Sequence, residues 1–210
     1  MCMNFGILGT KVGMTNVFDP SGVAIPGTIV KVGPCIVTQV KTVPKEGYSS
    51  IQLGYFSVAK ASLSKPELGH LKISNSQAVR YLREFRVDSP DENLLGQEVT
   101  VSKFSVGDRV SVAGKSVGKG FSGTVKRHHF TRGPMTHGSK NHREPGSIGM
   151  GTTPGRVFPG KRMAGRLGGK KVTIKNLRVV FVSLENNFLV LKGSVPGKKG
   201  SLLRILGTKS

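Results

Sequence analysis

Tryptophan is absent from this chain of 210 residues, and cysteine is limited to Cys2 and Cys35. Two cysteines cannot build a disulfide scaffold, and neither is paired at a spacing that zinc requires. No apolar run approaches the roughly 18–20 residues that a membrane-spanning helix needs. The opening MCMNFGILGTKVGM has no apolar stretch of signal-peptide length, no small-residue cleavage site and no Arg/Ser enrichment. It reads as a reduced, intracellular, soluble protein with no targeting segment. Negative charge is the largest scarcity. Only 11 Asp and Glu stand against 32 Lys and Arg, for a net charge of +21. Those acids are scattered, and Asp91-Glu92 sits in the turn-like stretch DSPDENLLG. Paired carboxylates for acid–base chemistry and a Ser–His–Asp set are both missing, so no enzyme is expected.

A charge surplus of this size repels itself unless a polyanion offsets it. Nucleic acid is the first candidate, because a membrane anchor and secretion are not expected. Hydrophobic residues make up 37 % and glycines number 29, an unusual balance for a packed core. Both features concentrate in one segment. Residues 114–171 hold 13 of the 32 basic residues and one acid, Glu144. They also hold 14 of the 29 glycines, four prolines and four of the five histidines.

The flanks read differently. VAIPGTIVKV (23–32), CIVTQVKTV (35–43), SIQLGYF (50–56), EVTVSKF (98–104) and RVSVAG (109–114) are β-branched and roughly alternating. VTIKNLRVVFVSL (172–184) and FLVLKGSV (188–195) come after the insert, joined by Glu185-Asn186-Asn187, where Asn tolerates the φ > 0 of a tight turn. One helix is expected over about 64–83, with Ser64 as N-cap and Pro66 and Glu67 in its first turn. Asn75 and Ser76 are candidates to split it. The expected fold is mainly β: a small closed β-barrel with one or two short helices and a long basic, Gly-rich inserted loop. Residues 1–113 and 172–210 form the body, and 114–171 the insert. The insert is too polar and Gly-rich to offset its own ordering entropy, so it is expected to order against a polyanion.

Three chemistries compete for the insert. Gly118-Lys119-Gly120-Phe121-Ser122-Gly123 matches G-x-G-x-x-G, and Val125 extends it to the kinase form. A dinucleotide site needs a strand before that motif and a helix after it, but the sequence continues TVKRHHFTRGPMTHG without helical periodicity. The H-R-D and D-F-G motifs of kinases do not occur. A metal site fails on spacing: His128-His129, His137 and His142 have no cysteine nearby. No cofactor or metal is expected. The cations fit RNA better. Lys115, Lys119, Lys126, Arg127, Arg132, Lys140, Arg143, Arg156, Lys161, Arg162, Arg166, Lys170 and Lys171 are spread out between Gly and Pro. That spacing suits a chain touching many phosphates, with Arg forking onto phosphate or stacking on bases. In such a segment His128, His129, His137 and His142 are placed to stack on bases or donate to phosphate. A solvated tail or localisation signal is the plain alternative, but this segment returns into strands.

Several blocks carry a resemblance to a known family. They are GILGTKVGMT (6–15), VGPCIVTQVKT (32–42), KPELGHLK (65–72) and VGDRVSVAGKSVGKGFSGTVKRHHF (106–130). The most specific is HREPGSIGMGTTPGRVFPGKRMAGRLGGKKVTIKNLRVV (142–180). Together they resemble the bacterial and organellar type of large-subunit ribosomal protein L three, over nearly the whole chain in order. The resemblance implies a surface β-barrel domain, early direct binding to large-subunit rRNA, and a loop threaded into that RNA. Neighbouring ribosomal proteins are implied partners, in a bacterial cytoplasm or plastid stroma. Lys119, Phe121, Lys126, Arg127 and His128 match the start of the family's loop. Gly146, Ser147, Ile148 and Gly149 match its tip, which approaches the peptidyl-transferase centre without catalysing; Met150, Gly151, Thr152 and Thr153 complete that tip here. Pro154, Gly155, Arg156, Val157, Phe158, Lys161, Met163, Ala164 and Gly165 match its tip and return strand. Some bacterial members read Gln-Asn-Gln-Thr at the tip, with the second Gln N-methylated; here Thr152 offers no amide, and no such methylation is expected. Ser111 stands where an acid or Asn is common. A free architectural protein that binds duplex DNA and RNA alike is the alternative reading.

Overall fold

A computed structural model of the chain describes residues 6–88 and 91–207. The first five residues, including Cys2, and part of the 88–96 turn lie outside the described residues. The chain forms two compact units, one from residues 1–115 with 171–210 and the other Ser116–Lys170.

The first unit is mainly β. Its strands are β1 (Ile7–Phe18), β2 (Ala24–Val32), β3 (Cys35–Lys41), β4 (Ser50–Ser57), β5 (Val79–Arg86), β6 (Glu98–Val99) and β7 (Arg109–Lys115). After the second unit's two short strands, β8 (Phe121–Ser122) and β9 (Gly165–Arg166), come β10 (Lys171–Ser183), β11 (Phe188–Lys192) and β12 (Leu202–Gly207). Six of them pair antiparallel in a closed ring, β1-β12-β7-β10-β11-β2. A separate antiparallel sheet has the order β5-β4-β3-β6. One apolar cluster serves both sheets: Val30, Val112, Leu189, Leu191, Leu203 and Ile205 from the ring, and Val37, Ile51, Leu53 and Phe85 from the sheet. Burial of such side chains supplies most of the driving force for folding, at about 25 cal/mol per Å².

Close strand contacts explain two glycines. A Cβ on Gly9 of β1 would lie 2.7 Å from the Lys31 carbonyl oxygen, and one on Gly114 of β7 2.8 Å from a Leu203 methyl. Cys35 is fully buried; its thiol donates to the Leu8 carbonyl, and burial pushes its pKa up to about 12. It behaves as a small core hydrophobe.

The expected strands at 23–32, 50–56, 109–114 and 172–184 are present within a residue or two. Asn187 holds the left-handed conformation, at φ 54°, that the turn before β11 requires. Other expectations need correction. The helix over 64–83 is only α2 (Lys65–Lys72). Its start is as expected, with the backbone N–H and hydroxyl of Ser64 both donating to the Glu67 carboxylate. It ends early because the hydroxyls of Ser74 and Ser76 take the Leu71 carbonyl and Asn75 turns left-handed. The next segment, VRYLREFR, is strand β5. Residues 35–43 stop being strand at Lys41, where Pro44 opens the one-turn helix α1 (Val43–Glu46). Residues 98–104 are strand only at β6, because Val101–Lys103 coils into a 3₁₀ turn. Residues 188–195 end as strand at Lys192, since Gly193 takes φ 95°.

Candidate RNA interface

The second unit, Ser116–Lys170, has no buried apolar side chain among the described residues. Its two buried residues, Ser122 and Thr124, both carry hydroxyls. What order it has comes from backbone hydrogen bonds. Ser116 N–H donates to the Lys170 carbonyl at 2.9 Å, Lys119 N–H to Leu167 O at 2.9 Å, and Leu167 N–H to Gly120 O at 2.9 Å. This ladder runs into β8 and β9, which pair Phe121 with Arg166 and Ser122 with Gly165. Gly168 sits in the ladder at φ 71°, and a Cβ there would meet the Val117 carbonyl oxygen at 2.0 Å. Only glycine fits.

A one-turn helix comes next, α3 (Thr124–His128), ended by His129 in the left-handed conformation. It turns two side chains back to the returning arm. Arg127 Nη1 donates to the Met163 carbonyl at 2.6 Å, and His128 Nε2 to the same oxygen at 3.1 Å. Gly165 leaves room for the guanidinium, since a Cβ there would lie 2.7 Å from Arg127 Nη1. The base of the insert is therefore a built neck of two arms. Backbone pairing joins the two arms at this base without a core.

Further out, Gly133 N–H donates to the His142 carbonyl and His142 Nδ1 to Pro134 O. Arg156 lies over the Phe158 ring at 5.8 Å. At the tip, Ser147 Oγ donates to Gly149 O and Gly155 N–H to Gly151 O. Gly146 and Gly151 hold positive φ, while Ile148, Met150, Thr152 and Thr153 are exposed.

Charge and exposure dominate the surface. Lys115 and Lys171 pair across β7 and β10, with both residues exposed. Lys119, Lys126, His129, Arg132, His137, Lys140, Arg143, Lys161, Arg162, Arg166 and Lys170 are also exposed. Among the described residues, no Lys or Arg from 115 to 171 forms an ion pair. Phe121 is 81 % exposed, the highest value among the described large apolar side chains. The structure thus brings together Phe121 with Arg166, Arg127 with His128, and Lys115 with Lys171. It does not gather the four histidines; among the described residues no three His, Cys, Asp or Glu come close enough to hold a metal. The G-x-G-x-x-G run lies partly within β8, and β7 and β10 are antiparallel, so the parallel strand–helix–strand crossover of a dinucleotide site is not built. Sequence reasoning missed α3 and the Met163 carbonyl. The only signal for α3 was a five-residue stretch, too short to show a helical period.

The comparisons fit this surface. Residues 83–185, which include the whole insert, match the family model described as Ribosomal protein L3. The "Large ribosomal subunit protein uL3c" of Porphyra purpurea is 58 % identical over 203 residues, covering 97 % of this chain and 99 % of its own. The protein of the same name from Phaeodactylum tricornutum is 60 % identical, covering 97 % and 99 %. "Large ribosomal subunit protein uL3" of Trichormus variabilis is 58 % identical over 207 residues, covering 99 % and 98 %. This chain belongs to the ribosomal protein L3 family. Its family is thereby that of a structural component, not of an enzyme. The cation-rich second unit, Ser116–Lys170, lies wholly within the matched stretch. Among the described residues no helix is long and apolar enough to cross a membrane.

Proposed function

We infer that this chain is a structural constituent of the large ribosomal subunit, bound directly to its rRNA, in a bacterial cytoplasm or plastid. The reading rests on one observation above all: among the described residues, the cations of Ser116–Lys170 form no ion pair and no apolar side chain there is buried. A segment of that kind needs hydrogen-bond acceptors and negative charge from outside, and folded RNA supplies both. The six-stranded ring acts as a small barrel at the subunit surface. The insert, residues 114–171, threads into rRNA, with its cations on phosphates and Phe121 and the histidines against bases. The tip, Gly146 to Thr153, reaches toward the peptidyl-transferase centre and contributes no catalytic group. Early binding of this kind nucleates assembly, and other large-subunit proteins are its neighbours.

Sedimentation tests the reading. Cell extracts are run on sucrose gradients after a moderate salt wash. The protein is expected to co-migrate with the large subunit. A free architectural protein would instead stay at the top of the gradient and bind duplex DNA and RNA equally, which would overturn the assignment.

A further inference from the structure

The first unit contains a surface of the opposite character. From residue 12 to residue 30 the chain has no Lys or Arg, its longest cation-free run, with Asp19 as the sole charge. This run is the hairpin of β1 and β2. Its register places Met14 opposite Thr28, Asn16 opposite Pro26 and Phe18 opposite Ala24, all on one face. Thr28 is buried, but the rest of that face is open. Met14 is 57 % exposed, Phe18 69 %, and Val23 in the turn 59 %. The hairpin also outruns its neighbours. β12 pairs with β1 only over Ile7 to Thr10, and β11 with β2 only over Gly27 to Lys31. The backbone of residues 13–18 therefore has β2 on one side and, among the described residues, no ladder on the other.

An apolar face with a free strand edge is costly on a soluble protein unless something covers it. We propose that the outer β1–β2 hairpin, centred on Met14 and Phe18, docks against another protein of the particle. The occupant is an apolar protein surface, placed to add a strand along residues 13–18. RNA is the poorer occupant on chemical grounds, because residues 12–30 carry no Lys or Arg for a phosphate and one acid, Asp19, and the exposed face is Met14, Phe18, Ala24 and Pro26 with Asn16 as its one polar side chain. The proposal rests on the ribosomal reading, which supplies the crowded particle.

Three methionines make the test direct without substitution. Hydroxyl-radical oxidation of Met14 is followed by mass spectrometry in the free chain, in the chain bound to purified large-subunit rRNA, and in salt-washed large subunits. Met135 and Met150 in the insert, the latter 71 % exposed, report RNA contact in the same digests. Met14 is expected to react equally in the free chain and the rRNA complex. In the subunit its oxidation should fall roughly fivefold, as the desolvated centre of an interface requires. Met14 left fully reactive in the subunit would overturn the proposal. So would its protection by rRNA alone, or concentration-dependent protection in the free chain, which would mean a second copy. If Met135 and Met150 stay reactive on rRNA and in the subunit, the ribosomal reading fails instead, whatever Met14 does. A Phe18→benzoylphenylalanine photocrosslink in the subunit is expected to yield a protein adduct; a nucleotide adduct would count against the hairpin's assignment.

Discussion

Phe121 and Gly168 show how single residues serve the insert in different ways. Phe121 pairs across β8 and β9 with Arg166 and exposes nearly all of its ring. No packing role explains so open a phenylalanine, whereas a base can stack on it. Phe121→Ala is expected to weaken rRNA binding by about 1–3 kcal/mol, the usual worth of a stacked base. The salt dependence of binding should stay unchanged, since no phosphate contact is lost. Lys161→Ala should do the reverse, lowering the slope of log K against log salt by about 0.7–0.9. Filter binding over a salt series reads both. Gly168 is backbone architecture. Its left-handed φ and the Val117 carbonyl leave no room for a methyl. Gly168→Ala should cost on the order of 1–3 kcal/mol locally. Limited proteolysis would show it as faster cutting within 116–170 with the β body intact. The cations were legible in the sequence because their type and spacing are the signal. The clamp of Arg127 and His128 was not, since the Met163 carbonyl it grips is 35 residues away from His128.

At the level of elements, strands with a local alternation were legible and strands defined by their partners were not. β2, β4, β7 and β10 announce themselves by β-branched residues. β1, with its glycines, threonines and asparagine, becomes a strand because β2 lies along it and β12 pairs with its first residues. The first five residues of β5 fell inside the helix expected over 64–83, because VRYLREFR is as charged as a helix face. Its Glu84 shows what the strand does. Lys41 Nζ on β3 donates to Glu84 Oε1 at 2.6 Å, and the Tyr48 hydroxyl to Oε2 at 2.9 Å. The Lys41 ammonium, with help from Tyr48, holds the Glu84 carboxyl below its ordinary range. A depressed folded value means the contribution is in place above the unfolded carboxylate's range and is lost as pH falls through the folded value. Acid titration of stability should therefore show a loss in that low range, and Glu84→Gln should flatten it. At neutral pH the substitution should cost no more than about 1 kcal/mol, because the pair is partly solvated. Thermal melts of both proteins across an acidic pH series check this.

Over the whole molecule, the scarcity of acids divides into two problems with two solutions. The β body carries its apolar cluster wholly outside residues 116–170, so it can stand without the insert. Residues 114–171 carry more than half of the net charge on little more than a quarter of the chain, and under the proposed reading RNA takes the part that a core takes elsewhere. Composition alone already sets that stretch apart. The separate β5-β4-β3-β6 sheet was not, since local patterns do not say which strands share a sheet. The most direct measurement compares the intact chain with a chain lacking residues 120–165, each titrated onto purified large-subunit rRNA over a range of salt. Circular dichroism should show the shortened chain still folded as β. Its affinity should fall steeply, and the slope of log K against log salt should drop by about 0.7–0.9 for each phosphate contact removed. A shortened, folded chain that binds rRNA as tightly as the intact one, with the same slope, would contradict the assignment of RNA binding to the insert.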